Sequence, residues 1–197
     1  MIFPIKYGHS ENKQVAKLLI IGDSLSAAYG IDINKGWVNL LRNRLKNNNY
    51  NIELINASIS GDTSQSAKMR LADYLAVDKV DYLIIEIGGN DGLRGLSLKS
   101  FKQNMQQMID LAGKHGLKTL LLGIKIPPNY GPFYSQGFED VYQQLSDKNH
   151  IALVPFFLHG IAEDQSKMQA DGIHPKEAYQ SQILDNIWPE LQSLLSR

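Results

Sequence analysis

The sequence predicts an α/β fold, a mostly parallel five-stranded sheet with helices on both faces, and three observations carry that reading. From residue 17 onward, apolar runs of strand length alternate with amphipathic stretches of helix length. The strand candidates are close to continuously apolar, as strands covered on both faces must be. With 197 residues, 43% of them apolar and 20% charged, the chain has the size and make-up of one globular domain. No internal repeat, low-complexity tract or Pro/Gly/Ser-rich linker divides it, so residues 17–197 read as a single domain behind an N-terminal extension, residues 1–16.

The elements follow in order. Lys17–Gly22 (KLLIIG) is an apolar run ending at glycine, a buried strand. Val38, Leu41 and Leu45 stand at helical spacing after Trp37, and the pattern dissolves in polar residues from Lys46 to Asn49. Asn51–Asn56 alternates and reads as the second strand. Ala67, Leu71 and Leu75 mark the next helix, with Asp62 or Thr63 as its cap. Asp81–Gly88 is a third strand, and the stripe Phe101, Met105, Met108, Ile109, Ala112 a third helix that stops near Gly113–Gly116. Lys118–Ile126 is a fourth strand closed by Pro127 and Pro128, Phe133 to Leu145 a weaker helix, and Ile151–Val154 a short fifth strand. Pro175 is expected at the first position of a last helix running to Leu195, which Pro189 should bend or split.

Composition removes much of the functional menu. Twenty Lys and Arg balance twenty Asp and Glu, so no net field favours nucleic acid or an anionic membrane. The absence of cysteine excludes disulfides, thiolate metal sites, iron–sulfur clusters and a cysteine nucleophile. No run approaches the ~18 apolar residues of a membrane span. Met1–Ile5 is too short for the apolar centre of a secretory signal, so the chain is expected either to be cytoplasmic or to begin after a signal already removed.

In a parallel sheet, ligands meet the loops at the carboxyl ends of the strands, near a reversal of strand order. After the first strand stands Gly22-Asp23-Ser24-Leu25-Ser26, after the second Asn56 to Thr63 with Gly61, after the third Gly88-Gly89-Asn90-Asp91-Gly92. Near the C-terminus stands Asp171-Gly172-Ile173-His174. Each block alone is ordinary turn chemistry. Together they hold the parts of acyl transfer: Ser24 as nucleophile, His174 to accept its proton, and Asp171 to fix the imidazole tautomer. The Ser24 and Gly61 backbone N–H groups and the Asn90 carboxamide could receive the oxyanion. Asp147 and His150 repeat the Asp–His spacing, but just before the fifth strand, on the opposite rim.

These four blocks resemble the SGNH, or GDSL, hydrolases, whose name follows the residues that here are Ser24, Gly61, Asn90 and His174. The stretches 22–27, 56–64 and 88–95, with Pro127 and Asn129-Tyr130-Gly131, are similar to the bacterial thioesterase I branch, whose members act as lysophospholipases and arylesterases. The resemblance implies a flavodoxin-like three-layer α/β/α sandwich and a Ser–Asp–His mechanism without metal or cofactor. It implies hydrolysis of acyl thioesters, lysophospholipids and simple aryl or alkyl esters, and export to the periplasm.

An acyl group needs an apolar channel beside Ser24, for which Leu25, Leu93, Ile126, Tyr130, Phe133, Phe156 and Phe157 are the candidates, Ile126 and Phe156 being equally suited to the core. Gly92 to Leu96 is a candidate flap hinged at Gly92 and Gly95. His9 and His150 are expected in solvent, His115 at a helix end and His159 in a packing role. Three rivals remain open. A two-metal phosphoesterase lacks converging histidines, a non-catalytic binding module would not need the reactive parts, and an O-acetyl sugar esterase would favour exposed aromatic platforms. The partner expected is a small acyl ester or thioester, met by a monomer.

Overall fold

The computed structural model describes residues 15–196, so the expected N-terminal extension falls almost wholly outside the described residues. Strands β1 (Ala16–Gly22), β2 (Ile52–Asn56), β3 (Tyr82–Glu86), β4 (Lys118–Leu122) and β5 (Ala152–Val154) pair in parallel in the order β2-β1-β3-β4-β5. Leu18 to Ile21 of β1 and Leu83 to Ile85 of β3 are wholly buried, which is why these central strands are apolar without alternation.

The helices are α1 (Trp37–Asn47), α2 (Ser64–Val77), α3 (Gly89–Leu93), α4 (Leu98–Lys114), α5 (Pro132–Asn149) and α6 (Gln180–Leu195). α1 packs on α6 on one face; α2 packs on α4 and α4 on α5 on the other. Right-handed crossovers demand this split, because β2 lies to one side of β1 while β3, β4 and β5 lie to the other. The order therefore reverses between β1 and β3, and the loops after these two strands flank a crevice. Thr63, one of the two expected caps, starts α2: its backbone N–H donates to Ser66 Oγ at 3.1 Å.

The structure departs from the sequence reading at four places. β4 ends at Leu122, not Ile126, because Gly123 turns to meet the chain leaving β5: its N–H donates to Val154 O at 2.8 Å and its carbonyl accepts from the Phe157 N–H. The turn expected after β3 is instead the short helix α3. Pro175 does not open the last helix. It pairs with Met168 in an isolated antiparallel bridge, and a 3-10 turn at Glu177–Tyr179 leads into α6. Pro189 sits inside α6 without dividing it.

Candidate active site

Ser24 follows β1 by two residues, where the chain turns sharply: the Ala27 N–H donates to Asp23 O at 3.0 Å and the Tyr29 N–H to Ser24 O at 3.1 Å. His174 comes from the other end of the chain on a tight antiparallel turn. Gln169 N donates to His174 O at 2.7 Å, Lys176 N to Lys167 O at 2.8 Å and Gly172 N to Gln169 O at 3.0 Å. At the tip of this turn Asp171 Oδ1 accepts from the Ile173 and His174 backbone N–H groups at 2.9 and 3.0 Å.

The result joins the three side chains that the sequence suggests. Asp171 Oδ2 lies 2.7 Å from His174 Nδ1, and His174 Nε2 lies 2.8 Å from Ser24 Oγ. Burial opposes ionisation of Asp171, but the His174 backbone N–H, the His174 ring and the Ile173 N–H outweigh it and bring the carboxyl down to about 2. Asp171 is thus an anion at neutral pH, hydrogen-bonded to the far side of the imidazole. Pro175 opens no helix, so the Asp171 carboxylate is the charged neighbour that contacts the ring.

Asn90, in the first turn of α3, turns its carboxamide toward the crevice, and Nδ2 donates to Asp23 Oδ2 at 3.3 Å. Asp23 is buried, and its Oδ1 accepts from the Leu25 N–H at 3.0 Å. Beneath it Glu86, the last residue of β3, accepts from Ser26 Oγ at 2.7 Å and from the Asp23 N–H at 3.3 Å. Burial pushes Asp23 up to about 6; burial and then the Asp23 charge push Glu86 well above the ordinary carboxylate range. Gly61 lies on the loop after β2 with φ +85. Its carbonyl accepts from Arg94 Nη2 at 3.0 Å, tying that loop to the end of α3, but Gly61 does not line the cavity beside Ser24.

That cavity has a volume of about 510 Å³ and holds Ser24, Asn90 and His174 in its wall. Of the expected acyl contacts, Leu25, Leu93, Ile126 and Phe156 line it. Three do not. Phe133 is 90% exposed at the start of α5, because its helical position faces outward, and Phe157 is completely buried in the core. Tyr130 stands behind the wall, its hydroxyl donating to Leu93 O at 2.7 Å. The sequence reading missed Ile124, Leu158, Ala162, Met168 and Ile173, which complete the apolar wall. The irregular stretch between β5 and His174 supplies most of these, and no periodicity marks it.

The expected flap is also revised. Gly92 lies buried in α3, where a Cβ would collide with Ile126, so it serves close packing rather than hinging. Gly95, at φ +62 with open space around it, can hinge. His159 is exposed, not packed, with Nδ1 3.4 Å from Glu163. His115 ends α4 and His150 ends α5 in exposed positions; His9 lies outside the described residues. Among the described residues no three His, Asp or Glu side chains converge to hold a metal ion, and no helix is long and apolar enough to cross a membrane.

Comparison with known proteins agrees with the geometry. The chain is 50% identical over 178 residues to the esterase TesA of Pseudomonas aeruginosa, which covers 90% of this chain and 89% of the relative. It is 36% identical over 179 residues to thioesterase 1/protease 1/lysophospholipase L1 of Escherichia coli, covering 91% and 85% of the two chains. The crystal structure of TesA superposes with a TM-score of 0.88 at 49% identity, over 90% of this chain and 99% of that one. The family model for GDSL-like lipases and acylhydrolases matches residues 20–180, and the chain belongs to that family.

Proposed function

We propose that the protein is a serine esterase that cleaves acyl esters and thioesters, lysophospholipids and aryl or alkyl esters among them, through an acyl-enzyme on Ser24. The observation that carries this is the chain of contacts from Ser24 Oγ to His174 Nε2 at 2.8 Å and from His174 Nδ1 to Asp171 at 2.7 Å, opening on an apolar cavity. The esterase and the thioesterase/lysophospholipase among its relatives support the breadth of substrate.

Ser24 Oγ attacks the carbonyl carbon while its proton passes to His174 Nε2. The Asp171 carboxylate stabilises the imidazolium that forms. The oxyanion is received by the Ser24 N–H and by the free amide N–H of Asn90. Collapse releases the alcohol or thiol, which takes the proton from His174. Water, deprotonated by the same nitrogen, then attacks the acyl-enzyme and frees the acid and Ser24. We place this activity in a single domain spanning residues 17–197, acting as a monomer in the periplasm or outside the cell.

The test is kcat/KM for wild type and Ser24→Ala on p-nitrophenyl esters, acyl-CoAs and lysophospholipids of matched chain length. Wild-type turnover on the panel, lost in a folded Ser24→Ala, is the expected result. Equal rates for the two proteins on p-nitrophenyl butyrate would end the proposal.

A further inference from the structure

We infer that Tyr29 is a positioning residue for His174, and that Gln169 is the clamp that holds it there; the inference rests on His174 acting as the base proposed above. The Tyr29 ring lies 4.5 Å from the His174 ring, tilted by 37°. Tyr29 is half exposed and, unlike His174, does not line the cavity, so it covers the imidazole without contacting the acyl site.

The backbone around Tyr29 is built for this placement. Ala28 and Gly30, on either side, both have left-handed φ, +60 and +73. A non-glycine residue is seldom found there and persists only where its surroundings hold it. Gln169 does so. Its Nε2 donates to Tyr29 O at 3.0 Å and to Pro175 O at 3.1 Å, joining the Ser24 loop to the turn that carries His174. Glycine suits this junction: its φ of +73 strains any other residue, and a Cβ there would displace the Gln169 carboxamide from its two carbonyls.

The physical need is plain. The two in-plane hydrogen bonds of His174 resist rotation of the ring within its plane but resist tilting out of it poorly. During turnover Nε2 must take a proton from Ser24 Oγ and deliver it to the leaving group. An aromatic face against the imidazole limits tilt, and it favours the imidazolium by a cation–π contact. Tyr29 therefore acts through His174 on the chemical step rather than on substrate binding.

The test uses the full chain and p-nitrophenyl butyrate. Tyr29→Ala should lower kcat by roughly ten- to hundredfold with KM unchanged. Tyr29→Phe, which keeps the ring, should restore kcat, and Tyr29→Leu should fail to restore it while keeping the loop filled. Gln169→Ala should lower kcat in the same way, and adding it to Tyr29→Ala should cause little further loss, because the two act on one element. A low-field proton resonance of the His174 Nδ1–H is expected in wild type, and it should broaden in Tyr29→Ala while the far-UV circular dichroism stays native. Full kcat in Tyr29→Ala, a change confined to KM, or Tyr29→Phe as impaired as Tyr29→Ala would overturn the inference. Multiplying losses in the double variant would overturn the role of Gln169. Turnover by Ser24→Ala would instead overturn the serine mechanism itself, whatever Tyr29 does.

Discussion

Asn90 donates one of its two amide N–H groups to the buried Asp23 carboxylate at 3.3 Å. An amide can flip end for end; a carboxylate partner, which only accepts, holds the nitrogen rather than the oxygen toward the crevice. The second N–H is then available to a substrate oxyanion. Asp23, inconspicuous in the Gly-Asp-Ser turn, thus becomes the residue that orients the Asn90 carboxamide, the oxyanion donor proposed above.

Asn90→Ala should therefore cost about 2.7–4 kcal/mol of transition-state stabilisation, a fall of roughly 10²–10³ in kcat. KM should move little, and the thermal melt should stay near wild type. A kcat within a few-fold of wild type would remove Asn90 from the oxyanion site.

Asp171→Asn should lower kcat by roughly 10³–10⁴ with KM largely kept, because an amide favours the wrong imidazole tautomer while the acyl cavity stays intact. Steady-state kinetics on a short p-nitrophenyl ester decide it. A variant that mainly raised KM would show that Asp171 shapes binding instead.

The Asp23–Glu86 pair predicts a pH dependence of stability. A carboxyl raised in the folded state stabilises that state below its unfolded value and loses the advantage as pH climbs through its folded value. For Asp23 the window runs from about 4, the ordinary unfolded value, to about 6 in the fold; Glu86 is displaced in the same direction. Glu86→Gln keeps an acceptor for Ser26 and removes one ionisation. It should be more stable than wild type at pH 8, the gain shrinking toward pH 4. Urea melts at the two pH values check this, and a gain that did not change with pH would contradict it.

Ala162 lines the cavity wall, so Ala162→Phe should depress kcat/KM for dodecanoyl esters while leaving butyryl esters nearly untouched. Phe133→Ser, on an exposed side chain outside the cavity, should change neither profile. A p-nitrophenyl ester series on both variants reads the contrast. A chain-length shift in Phe133→Ser would return that ring to the acyl path.

Legibility varied with the range of the forces involved. β1 and β3 are visible as apolar runs because both their faces are covered. Helix α3 is not visible, since Gly-Gly-Asn-Asp-Gly has little helix propensity. It is held by contacts from afar: Asp91 accepts from the Ser64 N–H and Oγ at 2.8 and 2.6 Å, and Tyr130 bonds the Leu93 carbonyl. Pro175 misleads for a similar reason. A proline before Lys-Glu-Ala suits a helix start locally, yet its bridge to Met168 takes it into the turn that carries His174.

The amino-acid order alone determined the α/β class and the alternation of strands and helices, and it pointed to Ser24, Asn90, Asp171 and His174 as candidates, because apolar periodicity and block chemistry are written in neighbouring residues. Only the tertiary structure decided which side chains wall the cavity, that Asp23 orients Asn90, and that Tyr29 lies against His174. Those relations join residues as many as 150 positions apart. Such distances in space are set by how layers pack and loops meet, which no local pattern encodes.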